Sequence, residues 1–373
     1  MICLLPFFSQ QDKTDGHFLL QSCCTTQIAR FLALALTRFS CYTVRAVVPD
    51  PKQISGLSPI WPCQTYPVTI PRNNHDQRSN FPAEKIYPLL QDSTILISQH
   101  ELLSTKIRYR FPALKIIQLN YMHPLGDWTW MTDLQVQSWR ASDYIAFISS
   151  LHREHALSLA PDIADRALVW PLTYDVTYFP DKIPVVNRDI DILFGQRCSQ
   201  SNYTHHREFL QAIRLLQNSN WHGKVAFTDT TRWLEKFEPE LLDGLDVTFL
   251  HATDRLSYAK ILARTKCAIA MMEQDLHGGI AIREAIISGA IPLLLDTPAY
   301  RELLGPAAAN WPGFVTTDPK NIAEKIRLLV GSKLNKSAIY VADYKSIRQR
   351  VQRESYQSVF LNHVHPLIRE LYK

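Results

Sequence analysis

The sequence has no apolar run approaching the ~18 residues that a membrane-spanning helix requires. Its apolar start, Met1 to Phe8, is short, lacks a basic leader and runs straight into Ser9-Gln10-Gln11-Asp12-Lys13. That pattern predicts a buried first strand rather than a signal peptide. It also predicts a protein that works in the cytoplasm, or in a host cell's cytoplasm. Glycine is sparse, 12 of 373 residues, and no low-complexity tract occurs, so little disorder is expected beyond short loops. The seven cysteines are odd in number and contain no C-x-x-C pair. Most lie in apolar runs and read as reduced, buried thiols, not as a disulfide framework or a zinc site. There is no G-x-G-x-x-G after a strand and no P-loop, which disfavours a nicotinamide enzyme or a kinase. His152-Arg153-Glu154-His155 is not H-E-x-x-H, and its spacing gives no reliable zinc pair.

What is present is globular. Hydrophobic residues make up 46% and charged residues 20%, and the length suits two ordinary domains. The formal charge of +5 is in keeping with an anionic substrate or partner without proving one. The basic clusters Lys106–Arg110 and Lys345–Arg353 read first as solvated helix surface.

Short apolar runs alternate with amphipathic stretches. Strands are expected at 2–8, 43–48, 94–98, 115–119, 144–148 and 167–170, with helices at 21–38, 83–90, 132–139 and 152–159. The pattern breaks near Pro171, Pro180 and Pro184 and then resumes. Strands follow at 190–194, 224–227, 247–250, 267–272 and 291–295, and helices at 207–217, 257–264, 280–288 and 321–329. Such alternation implies parallel sheets covered on both faces. The domains are accordingly set at 1–175 and 189–340, with a linker at 176–188. C-terminal helices over 341–373 are placed, by analogy, crossing back to the first domain. Ligands of such folds bind beyond the carboxyl ends of the strands.

The chemistry concentrates in one segment, Met272-Glu273-Gln274-Asp275-Leu276-His277-Gly278-Gly279-Ile280, and the helix that follows it. A strand ends, a glycine pair turns and a helix starts. Glycine lets backbone amides approach an anion, and the free N–H groups at the helix start favour phosphate. Glu284 lies among Ile280, Ala281, Ile287 and Ser288 on the apolar face, so its carboxylate needs a partner. A ribose diol supplies two hydroxyl donors. The alternative is an internal arginine such as Arg301.

Gly279, Glu284-Ala285, Gly289 and Pro292 together resemble the donor motif E-x-F-G-x(4)-E-A-x-x-x-G-x-P of nucleotide-sugar glycosyltransferases with the GT-B fold. The loop and glutamate from Asp296 to Glu302 follow the same pattern, and the family's first glutamate falls on Leu276. The resemblance implies an α/β protein of two doubly wound, Rossmann-like domains with a central cleft. It implies that Glu284 binds the donor ribose and that the amides of Gly278, Gly279 and Ile280 face the diphosphate or the donor sugar. Asp275 and Thr253 join the donor side. It further implies a basic residue after the second domain's first strand, which neutralises the departing diphosphate. Arg197 is the first candidate and Arg207 the second; a surface arginine is the alternative for each, and Asn202 stands where the family's lysine would be.

The first domain is expected to supply the acceptor site. His123 follows a strand and would orient a sugar hydroxyl or act as a base, with a structural histidine as the alternative. Asp15 and His17 are further base candidates, and His100 another. Trp128 and Trp130 are placed against an acceptor ring, and Arg108 and Arg110, with Arg72 and Arg78, on a basic face beside the cleft. Asp189-Ile190-Asp191 has the D-x-D form of metal-dependent glycosyltransferases but precedes a strand instead of following one, so it is set aside. No metal and no cofactor beyond the nucleotide sugar, favoured as a UDP-sugar, is expected. The acceptor is a bacterial envelope glycan or a hydroxymethylated base in phage-type DNA, the latter a DNA modification activity. The alternatives are a sugar-nucleotide epimerase and a non-catalytic sugar-nucleotide binder.

Overall fold

A computed structural model describes residues 1–6, 24–54, 61–70, 81–120, 129–171, 179, 187–196, 198–228, 232–250, 255–273, 279–330 and 338–372. The apolar runs of the first half become strands β1 (Ile2–Leu5), β2 (Val44–Pro49), β3 (Gln64–Val68), β4 (Ile95–Ser98), β5 (Lys115–Asn120), β6 (Tyr144–Phe147) and β7 (Ala167–Val169). They form one seven-stranded sheet in the order β3-β2-β1-β4-β5-β6-β7. Every pairing in it is parallel. The central strands β1 and β4 are buried along their whole length, as a sheet with helices on both faces requires.

The second half repeats this plan. Strands β8 (Ile190–Phe194), β9 (Val225–Phe227), β10 (Val247–Phe249), β11 (Thr265–Ala270), β12 (Ile291–Leu295) and β13 (Phe314–Val315) pair in the order β10-β9-β8-β11-β12-β13. These pairings too are parallel. Phe194 packs against Phe209 and Phe227, and Phe227 against Phe249, so neighbouring strands share one aromatic core.

The chain forms two compact units, Met1–Tyr174 with Glu354–Lys373, and Asp175–Arg353. The tail is therefore split. Helix Ala338–Gln352 belongs to the second unit. Beyond it, Tyr356 stacks on Phe31 and Phe360 meets Phe39 within the first. Most of the expected linker lies outside the described residues, but its last residue, Arg188, is buried inside the second unit. Among the described residues no helix is long and apolar enough to cross a membrane.

Several polar residues owe their places to packing. Arg108, expected on a basic face beside the cleft, is largely engaged inside the first unit. Its Nε donates to Ala141 O (3.0 Å), its Nη1 to Pro112 O and Leu114 O (2.8 Å each), and its Nη2 to Asp143. Four donors are spent on tying helix Ser104–Arg110 to the segments around β5 and β6. Arg108→Ala is expected to cost about 2 kcal/mol in urea unfolding, because several carbonyls and Asp143 lose a partner together. Any salt-sensitive polyanion binding should be unchanged. Arg110 is exposed.

The D-x-D carboxylates are also structural. Asp189 holds Arg264 with two hydrogen bonds, and Asp191 receives Lys266 Nζ at 2.6 Å and Lys224 N at 2.8 Å. Among the described residues no cluster of His, Cys, Asp and Glu is arranged to hold a metal. Of the described cysteines, Cys3, Cys198 and Cys267 are buried, whereas Cys41 is exposed and Cys63 intermediate, so burial is not general. Desolvation pushes the Cys3 thiol up to about 12 and the Cys63 thiol to about 11.

Candidate functional site

In the second sheet the strand order reverses between β8 and β11, and a parallel sheet places its ligand crevice beyond the carboxyl ends at such a switch point. Two hydrogen bonds and two close approaches of His205 to carboxylates shape that edge. Gln196, just past β8, accepts Met271 N at 2.7 Å from the end of β11. Tyr300 Oη accepts Met272 N at 3.4 Å. His205 Nε2 lies 3.4 Å from Glu273 Oε2, and its Nδ1 lies 3.7 Å from Glu208 Oε2. The loop after β8 thus meets the segment that leads into the glycine pair.

Helix Ile280–Ile287 starts at this edge. Gly279 caps it at φ 64°, ψ 154°, a backbone region that only glycine enters without strain. Arg283, buried on the same helix, donates Nη1 to Gly279 O at 3.0 Å. Glu284 is 1% exposed. Arg301, the internal partner considered for it, instead holds Asp296 with two bonds of 2.6 and 2.7 Å and lies over the Phe314 ring.

The far end of the helix is capped by three side chains from distant parts of the unit. Tyr344 Oη donates to Ile286 O (3.1 Å) and Ala290 O (3.2 Å), Arg348 to Ile287 O (2.8 Å) and Arg188 to Ser288 O (2.8 Å). Arg188 also donates to Thr265 O at 2.6 Å, and its burial lowers its pKa. Cations at a helix carboxyl end complement its dipole, and they brace the helix whose amino end carries Gly279. Gly289 has φ +91°, and an added Cβ would lie 2.5 Å from Arg188 Nη2. Gly289→Ala is therefore expected to destabilise the second unit by about 2–3 kcal/mol, read as a lower thermal midpoint. Pro292 sits in β12 where its missing N–H faces the side on which pairing with β13 begins only at Leu294, and its carbonyl takes Trp311 Nε1 at 3.1 Å. Two motif positions, Gly289 and Pro292, are thus accounted for by the fold itself.

Arg207 is engaged elsewhere. Its Nε donates to Glu238 Oε1 at 3.1 Å and its Nη2 to the same oxygen, an interaction that raises its pKa. His206 Nε2 lies 3.0 Å from Glu238 Oε2, and burial lowers the pKa of that imidazole. Arg207 accordingly braces the start of its own helix. Arg197, Asp275, Gly278, Thr253, His123, Trp128, Asp15 and His17 lie outside the described residues, as do Arg72 and Arg78, and only the backbone of Trp130 is described. His100 is buried against Phe81, with Nε2 2.8 Å from Pro6 O, which gives it a structural place beside β1.

Sequence reasoning missed one polar network, at the carboxyl edge of the first sheet. Gln118 Oε1 accepts from Ser104 (2.8 Å) and Ser138 (2.9 Å), and Gln118 Nε2 donates to Glu101 O (2.9 Å). Gln135 donates to Glu101 Oε2 at 3.0 Å. The only forewarning was a run of polar residues at the end of an apolar strand.

No protein-family model and no curated protein sequence matches the chain. Solved structures do. Sucrose-phosphate synthase from Thermosynechococcus elongatus superimposes with a TM-score of 0.70 at 15% identity, over 100% of this chain and 98% of its own. HepE from Anabaena, solved with UDP and glucose, gives 0.70 at 10% identity, over 98% and 99%. The fold is GT-B. A glycosyltransferase from Rickettsia africae gives 0.67 at 13% identity, over 100% and 98%. The likeness to these GT-B structures runs the length of both units. At such identities it conveys the fold, and the site rests on the residues.

Proposed function

We propose that this protein is a glycosyltransferase that moves a sugar from a UDP-sugar to a hydroxyl acceptor. The observation that carries the reading is the second unit's switch point, where Gly279 opens a braced helix and buried Glu284 stands one turn further on. The GT-B fold supports it, and so does HepE, which has been solved with UDP-glucose. Ribose hydroxyls would donate to Glu284, amides at Gly279 and Ile280 would face the diphosphate, and Arg197 would neutralise the leaving group. No metal is needed for that division of labour.

For the acceptor, we favour an envelope glycan over a hydroxymethylated DNA base; four of the Arg108 donors already serve internal carbonyls and Asp143, which leaves little of that guanidinium for a phosphate. Incubation with a panel of nucleotide sugars tests the reading. A transferase releases nucleoside diphosphate from one donor, faster when the acceptor is present. Conversion of one sugar nucleotide into another would mean an epimerase, and binding without turnover a non-catalytic binder. Transfer to duplexes with hydroxymethylcytosine, absent from unmodified duplexes, would restore the DNA acceptor.

A further inference from the structure

Thr228 follows β9 at the same carboxyl edge as the switch point and adjoins β8 through a hydrogen bond from its N–H to Phe194 O (3.1 Å). It is 8% exposed, and among the described residues its Oγ1 is buried with no hydrogen-bond partner. A buried hydroxyl without a partner is costly and calls for an explanation. The neighbouring residue supplies one. Gly195 follows β8 directly, and a Cβ placed there would stand 3.8 Å from Thr228 Oγ1 and 3.4 Å from Tyr258 Oη. Those are ordinary contact distances and Gly195 has no positive φ, so neither packing nor backbone geometry demands glycine. What the glycine leaves is a bare stretch of backbone with two hydroxyls converging on it. Hydroxyl donors beside a side-chain-free backbone suit oxygen acceptors that approach closely, and phosphate oxygens are the strongest of these.

We propose that Thr228, with Tyr258 across Gly195, forms a subsite that hydrogen-bonds the diphosphate of the nucleotide donor. The subsite rests on the UDP-sugar reading above. Its function is separate from that of Glu284, since it reads the phosphates and not the ribose.

Calorimetry with UDP and with uridine, on wild type, Thr228→Val and Thr228→Ser, tests it. Valine keeps the shape and removes the hydroxyl. The expected result is about a tenfold loss of UDP affinity in Thr228→Val, with uridine binding unchanged and affinity largely restored in Thr228→Ser. The thermal midpoint of ligand-free Thr228→Val should match or exceed wild type, because no internal hydrogen bond is lost. Unchanged UDP affinity in a folded Thr228→Val would overturn the subsite, and an equal loss for uridine would overturn its assignment to the diphosphate. If Thr228→Val does not fold, Tyr258→Phe carries the test, with a loss for UDP but not uridine expected and no loss overturning the proposal. Wild type that binds no UDP would bring down the donor reading itself; wild type that binds UDP as well as Thr228→Val does would bring down this subsite alone.

Discussion

Replacing Glu284 by alanine is expected to weaken UDP binding about 100-fold. The carboxylate is 1% exposed on a helix that starts at the switch-point edge, and two ribose hydroxyls would donate to it. Each hydrogen bond to a charged group is worth about 1.5–3 kcal/mol, and about 1.4 kcal/mol is a factor of ten in affinity. The two bonds share one carboxylate, so their contributions do not simply add. Glu284→Gln keeps an acceptor oxygen but loses the charge, and should retain part of the affinity. Calorimetry checks both variants, with circular dichroism to show that the fold survives. A Glu284→Ala protein that binds UDP as wild type does would remove this residue from the site.

The second large effect belongs to Arg197. Arg197→Ala should lower kcat by about 100- to 1000-fold while changing donor affinity much less. Negative charge grows on the diphosphate as the glycosidic bond breaks, so a fixed guanidinium stabilises the transition state more than the ground state. Arg207 gives the contrast. Its guanidinium is held by Glu238, and Arg207→Ala should act mainly on stability. Steady-state kinetics on both variants separates the roles. Loss of turnover in Arg207→Ala with Arg197→Ala near wild type would reverse the assignment.

The strands that could be read from sequence are those buried on both faces. Ile291–Leu295 was legible to the residue, because a continuous apolar run leaves no choice of face, and Ile190–Phe194 was equally legible although Asp191 interrupts its run. β3, Gln64–Val68, was not. It is an edge strand with mostly exposed side chains and a proline, so it carries no apolar run. β13 is two residues long and gives no periodicity at all. Helix Pro298–Leu304 was missed although its Thr297 cap and following proline form a readable start signal.

The site divides in the same way. The burial of Glu284 could be read from helical spacing alone, since a carboxylate on an apolar face is visible within one turn. Its supports could not. Arg188 reaches Thr265 and Ser288, 77 and 100 residues away in sequence, and Arg348 reaches Ile287 from 61 residues away. The partners of Arg108 were hidden for the same reason. A basic cluster on a helix looks like solvated surface or a phosphate contact, until Asp143, 35 residues on, is found beside it. The Thr228 hydroxyl is likewise defined by what three-dimensional packing leaves next to it.

The most direct test of the central claim is a crystal structure of the protein grown with UDP. The ribose hydroxyls are expected on the Glu284 carboxylate and the diphosphate against the amides of Gly279 and Ile280. UDP bound away from the β8–β11 edge, or a Glu284 carboxylate with no nucleotide contact, would contradict it.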